Sequence, residues 1–249
     1  MTISAPLRTE RPDQIARVGA TKKRPAAATD GIPPLERGDH LSRVEFERRY
    51  AAMPYVKKAE LIEGVVYMPS PVHFIQHGRP HGTVMAWLLN YALATPGLAW
   101  ADNTSLRLDY DNEFQPDAML FIEEAHGGTC RISSDDFLEG PPELVVEVSG
   151  SSVSFDMNTK LRVYRRNGVQ EYLVLLAQEE RAVWHVLVEG EYQALEADEQ
   201  GILRSQVFPG LWLHSEYFWT GDLAGLMAVL NQVLASQEHV DFVATLGAS

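Results

Sequence analysis

Glu147 sits inside the run "PPELVVEVSG" (141–150), where Leu144, Val145, Val146 and Val148 read as a buried β-strand. An ionised carboxylate in such a strand costs several kcal/mol unless something pairs with it. Thirty residues earlier, Asp117 follows Pro116 at the start of a second apolar strand, "QPDAMLFIE". If the two strands are neighbours, both carboxylates reach one end of a sheet. Two such groups at close range repel, and one pKa climbs unless a cation lies between them. A hard divalent ion such as Mg²⁺ or Mn²⁺ takes oxygen ligands, commonly one or two carboxylates plus waters and substrate phosphate. A pair of this kind can polarise a phosphate and activate a water for in-line attack.

Asp156 and Lys160 follow at a spacing of four on the next predicted helix, so they share a face. A lysine leaning over the end of the Glu147 strand could stabilise negative charge developing on a phosphate. The plainer reading of the same spacing is a surface ion pair worth a few tenths of a kcal/mol. In a chain with 34 acidic residues, chance carboxylate pairs are common, and either acid could instead cap a loop or meet an arginine.

His81 opens a predicted buried helix next to Gly82, a place where a histidine usually caps or packs. His73, His77 and His81 recur every four residues like a metal-binding stripe. Pro71 and Pro80 argue against one continuous helix through all three, and so against zinc. Glu60 and Glu63 flank a hairpin turn, from which either could reach the sheet end, although an exposed turn carboxylate is more ordinary. The chain has no G-x-S-x-G, P-loop, G-x-G-x-x-G or cysteine-based metal motif. Any enzymatic chemistry therefore falls to carboxylates, lysine and histidine.

The elements that must position these groups can be read in outline. Ser42 caps a short surface helix over 41–53, and "KAELIEGVVYMPS" (58–70) reads as two strands around Glu63-Gly64. Residues 79–97 form a helix that is apolar on most sides, hence buried. Strands follow in "TSLRLDY" and "QPDAMLFIE", and residues 127–142 read as a long loop or short helix. After the Glu147 strand, 155–168 reads as a helix closed by Gly168. Residues 170–177, 181–188 and 191–197 form a meander, and 220–237 an amphipathic helix. The whole is an α+β or mixed α/β domain spanning 34–237, with its sheet centred on 105–122, 143–149 and 170–177, and with 238–249 as a tail. The apolar faces of 182–188 and 220–237 suit either a homodimer interface or the chain's own core.

Composition sets bounds. A net charge of −13 argues against broad nucleic-acid affinity. Residues 1–25 nevertheless carry +4, so a disordered arm over 1–33 is expected, able at most to touch DNA. The single cysteine, Cys130, excludes an intrachain disulfide. No apolar run is long enough for a membrane span and no signal-peptide pattern is present, so a cytoplasmic protein is expected.

The segments "ELIEGVVYMPSP", "PHGTVMAWLL", "QPDAML" and "PPELVVEVSGSSVSFDMNTKLRVYRRNGVQEYLVL" together resemble the Uma2-like family, described as putative restriction endonucleases (the domain of unknown function numbered 820). The likeness covers roughly residues 40–215 in order and is most specific over 141–176. It implies the PD-(D/E)XK nuclease fold, a mixed central sheet flanked by helices with metal-binding carboxylates on two adjacent strands. By this resemblance, Asp117 and Glu147 hold Mg²⁺ or Mn²⁺, and Lys160 is catalytic, replacing the lysine such nucleases usually carry two residues beyond the glutamate. Here that position is Ser149. His81, Glu60, Asp156 and Tyr164 match residues that line the family's site. DNA is the implied substrate, and superfamily nucleases often act as dimers. Where many relatives read Ser-Pro-Ser, this chain reads "SGSS" (149–152), a looser turn. A non-catalytic module on the same fold, and a carboxylate hydrolase of another phosphate substrate, are the alternative expectations.

Overall fold

Short apolar runs separated by turn residues divide the chain into brief strands and helices. The computed structural model describes residues 31–69 and 73–247. In chain order these form α1 (Arg43–Ala51), β1 (Glu60–Ile62), β2 (Val65–Tyr67), α2 (Arg79–Leu93), β3 (Leu98–Asp102), β4 (Leu106–Asp109), β5 (Asn112–Phe114) and β6 (Ala118–Ile122). Then come β7 (Arg131–Ile132), β8 (Leu138–Glu139), β9 (Leu144–Ser149), α3 (Leu161–Arg166), β10 (Glu171–Leu176), β11 (Arg181–Val188) and β12 (Glu191–Ala194). A hairpin of β13 (Ile202–Arg204) and β14 (Trp212–His214) precedes α4 (Ser215–Thr220), α5 (Leu223–Leu234) and α6 (Gln237–Leu246). The arm expected over 1–33 lies, for residues 1–30, outside the described residues.

Two sheets form. The first has the order β2-β1-β5-β4-β8-β7 and the second β12-β11-β10-β9-β6-β3. In the second sheet only β9 and β10 run parallel; its other neighbours are antiparallel. A parallel pair needs a crossover, and the segment carrying α3 supplies it. Side chains alternate across the strands. Leu120, Val146, Val148, Leu173 and Leu175 pack with Trp87, Leu88 and Tyr91 of α2 and with Leu226 and Leu230 of α5. The opposite face carries Met119, Val145, Tyr172 and Val174, which meet Leu106 and Phe114 of the first sheet and Val163 and Tyr164 of α3. Asp117 and Glu147 fall on this second face by the same alternation, between the two sheets.

Several expectations are met. Ser42 caps α1 by accepting from the Glu45 N–H at 3.4 Å. The Glu63-Gly64 hairpin, the buried helix and the β10–β12 meander are present. The apolar faces of β11 and α5 contribute to the chain's own core.

Others are corrected. The strand at 105–109 is not part of the central sheet: β4 pairs with β5, which joins β1 through Leu61 opposite Glu113. That choice is a long-range pairing with no local sequence signal. Within the stretch expected as a tail over 238–249, the described residues carry α6, which docks. The His239 ring meets Thr95 Oγ1 at 2.9 Å, and His126 Nδ1 lies 2.7 Å from the Leu246 carbonyl. Residues 155–160 wind as a π-helical turn before α3. A similar turn, Phe74–Gly78, leads straight into α2, so Pro80 does not interrupt the winding between His77 and His81. Pro80 stands at the junction of the two windings, in the first turn of α2, where its fixed φ suits the helix.

Candidate active site

The β6–β9 register pairs Leu120 with Leu144, Met119 with Val145 and Ala118 with Val146. One further step sets Asp117 beside Glu147. The contact is fixed by the Val148 N–H, which donates to Asp117 Oδ2 at 2.8 Å. Both carboxylates are 3 % exposed.

The crossover delivers the cation. Lys160 Nζ lies 2.9 Å from Glu147 Oε1, 3.3 Å from Glu60 Oε1 and 3.7 Å from Asp156 Oδ1. One turn later, Tyr164 donates its hydroxyl to the same Glu147 oxygen at 3.0 Å. Glu60, at the start of β1, also accepts the Gln115 N–H at 3.0 Å, which ties the first sheet to the site. Ser152 donates to Asp156 Oδ2, whereas the buried Asp156 Oδ1 has no hydrogen-bond partner.

Asp117 Oδ1 faces a second set of groups. His77 Nε2 is 3.2 Å away and Lys58 Nζ 3.4 Å away. His81 Nε2 lies 3.0 Å from both the Asp117 carbonyl and Asp102 Oδ1. The structure therefore brings Asp117, Glu147, Lys160, Glu60, Asp156 and Tyr164 into one buried cluster, with His81 at its edge.

Burial and charge pull these groups apart electrostatically. Burial pushes the Glu147 carboxyl upward; Lys160 opposes this, while Asp117, Asp156 and Glu60 reinforce it. Burial disfavours the Lys160 ammonium, but Glu147, Glu60 and Asp156 outweigh it and hold Lys160 well above the ordinary range. Burial works against ionised Asp117 too, yet the His77 hydrogen bond, the Lys58 charge and the Val148 N–H keep its pKa low.

A protein-family model described as "Uma2: Putative restriction endonuclease" matches residues 44–216, well over half of the chain. This chain belongs to the Uma2 family. The crystal structure of a "putative nuclease belonging to DUF820" from Anabaena variabilis ATCC 29413 shares the fold, with a TM-score of 0.53 at 13% identity. The match covers 69% of this chain and 96% of that one. No curated protein matches. The mixed sheets flanked by helices are thus a Uma2 nuclease-type fold.

Lys58, His77 and Gln115 are the residues that sequence reasoning missed in this Uma2 site. His77 was visible only as part of a histidine stripe, and the nearby prolines argued against it. Lys58 stands two residues before Glu60 in "KKAE", a spacing that sends both side chains to the same side of an extended chain. Glu63, the other turn carboxylate, points away and meets Arg166 at 2.8 Å.

A divalent ion fits the chemistry of the donor set. Buried Glu60, Asp117, Glu147 and Asp156 outnumber the two lysines they touch, Lys58 and Lys160. The orphaned Asp156 oxygen shows the same surplus of acceptors. All are hard oxygens, as Mg²⁺ or Mn²⁺ require. Among the described residues, no group of three or more His, Cys, Asp or Glu is set to hold a metal. None of the helices among the described residues is long and apolar enough to cross a membrane.

Proposed function

We propose that this Uma2 chain is a metal-dependent endonuclease hydrolysing DNA phosphodiester bonds. One observation carries the reading: a buried ammonium, Lys160, lies 2.9 Å from Glu147 while Asp117 is latched to the next residue of the same strand. Asp117 and Glu147 are the residues that would hold Mg²⁺ or Mn²⁺. Such an ion, when bound, polarises a phosphate and acidifies a bound water. Lys160 is the electrostatic stabiliser of the phosphate. The carboxylates around it keep it protonated, so it is unsuited to act as a base. Glu60 and Asp156 hold its amine in place, and Tyr164 orients the Glu147 carboxylate. His77 and His81 fix Asp117 from the other side.

The test is supercoiled-plasmid cleavage with Mg²⁺ or Mn²⁺, together with calorimetric titration of Mn²⁺. Wild type should bind Mn²⁺ and cut, and Lys160→Arg should bind but cut poorly. Free nucleotides should be left intact. A second reading, a non-catalytic interaction module on the same fold, is favoured by one fact: Lys160 by itself gives the Glu147 carboxylate a cationic partner at 2.9 Å. It requires that neither Mn²⁺ binding nor cleavage be seen.

A further inference from the structure

Between Val65 and Ala101 the sequence has no aspartate or glutamate, although the chain has 34 in 249 residues. The same stretch holds His73, His77, Arg79 and His81. In a chain of net charge −13, this is where a polyanion could approach without meeting a carboxylate on the segment itself. The first turn of that segment is also the rim of the active site. His77 reaches Asp117, and the Gln76 carbonyl packs against Gly150, in the loop that follows β9. A Cβ at Gly150 would sit 3.4 Å from that carbonyl, so glycine allows the turn to close onto the strand end. On its outer side the turn presents two bare apolar side chains, Phe74 at 72% and Ile75 at 62% exposure. Among the described residues nothing covers this pair, and its exposure beside the buried cluster marks an interaction surface.

We infer that the turn Phe74–Gly78 is the DNA-contacting lip of the site, with a nucleobase stacked on Phe74 beside Ile75 and an adjoining phosphate facing Arg79. Arg79 is exposed at the start of α2, directly after the turn. Aromatic stacking is indifferent to base identity, and apolar side chains of this kind also enter between base steps. The lip therefore provides grip without sequence readout, and favours strands whose bases are already unstacked. The inference rests on the nuclease reading of the same site, and it names the surface that offsets the acidic remainder.

The full chain is tested by fluorescence anisotropy with labelled single-stranded and duplex oligonucleotides, without divalent metal and over a range of salt, and by cleavage kinetics. Phe74→Ala and Ile75→Ala, alone and together, should leave thermal unfolding unchanged because both side chains are exposed. The double variant should bind single strands about tenfold or more weakly. Its KM should rise while kcat stays within about twofold, the signature of lost uniform binding. Arg79→Gln should reduce the salt dependence of binding instead. If wild type binds DNA and the double variant binds equally well, the lip is overturned and the nuclease reading stands. If wild type neither binds nor cuts any DNA, both fall together.

Discussion

Glu147 and Glu171 are glutamates on adjacent parallel strands, 3% and 0% exposed, and they point to opposite faces of one sheet. Glu171 is satisfied by neutral donors: Ser205 Oγ at 2.7 Å, Gln206 N–H at 2.6 Å and Val207 N–H at 3.2 Å. It ties the loop between β13 and β14 to the sheet. Glu147 is met by an ammonium and a phenol, and it is crowded by further carboxylates. Burial raises both carboxyls, but only at Glu147 do neighbouring like charges add to the rise. Depth of burial is therefore no mark of function. What sets Glu147 apart is like-charge crowding together with an ammonium and a phenol on one carboxylate oxygen, the pattern of a functional-site candidate.

Removing the cation should separate the two faces most sharply. Lys160→Ala leaves Glu147, Glu60 and Asp156 facing one another without compensation. It should cost about 3–5 kcal/mol, the usual penalty for breaking a buried pair. Denaturant unfolding measures this, and cleavage should vanish in the fraction that folds. A loss below about 1 kcal/mol would mean that the pair is solvated and the cluster is not the buried site described.

Next in size is a swap of phenotypes. Glu171→Gln presents an amide NH₂ to donors that need an acceptor, at a cost of about 1–3 kcal/mol. Cleavage by the folded protein should be unchanged. Glu147→Gln keeps the side chain's shape and relieves its repulsion by Asp117, Asp156 and Glu60, so stability should change by no more than about 1.5 kcal/mol. Mn²⁺ binding and cleavage should both be lost. If Glu171→Gln proves the inactive one, the functional assignment of the two faces is reversed.

A third buried glutamate sharpens the comparison through pH. Glu113, on β5 in the first sheet, is pushed up to about 8 by burial and by the carboxyl of Glu47 beside it. A carboxyl that holds its proton more tightly when folded destabilises the fold as pH rises from the unfolded value of 4.5 to about 8. Stability should thus decline over that window. Glu113→Gln should flatten the decline by on the order of 1 kcal/mol, read as urea midpoints at pH 5 and pH 8. An unchanged pH slope would mean that Glu113 is ionised when folded.

These contrasts show where the sequence was legible. Periodicity located β1, β2, β6 and β9–β12, and chain order alone put Asp117 and Glu147 on strands that proved to be neighbours. Lys160 stood out because it shares a helix face with Asp156 just past the Glu147 strand. The six-stranded first sheet was not legible, since β7 and β8 are two residues long and are held by long-range pairing. Lys58 and His77 were hidden for a related reason: they reach Asp117 across 59 and 40 residues. Glu171 was invisible as a loop anchor, because its partners lie more than 30 residues away and are mostly backbone.

Glu60 and Glu63 give the smallest and cleanest version of the same lesson. They stand three residues apart on one hairpin, and the sequence offered either as a reach into the sheet end. Glu60 is buried against Lys160 and the Gln115 N–H, whereas Glu63 is exposed and pairs with Arg166 at the surface. An exposed pair gains little, because water screens the attraction and two long side chains lose freedom. Glu63→Gln should therefore cost about 0.2–1 kcal/mol, a difference that fades in high salt, and should leave the cleavage rate unchanged. Glu60→Gln weakens the hold on the Lys160 amine and should slow cleavage under conditions where Glu63→Gln does nothing. Equal effects of the two on rate would mean that Lys160 is positioned by Glu147 and Asp156 alone, and Glu60 would then be left with only its structural bond to Gln115.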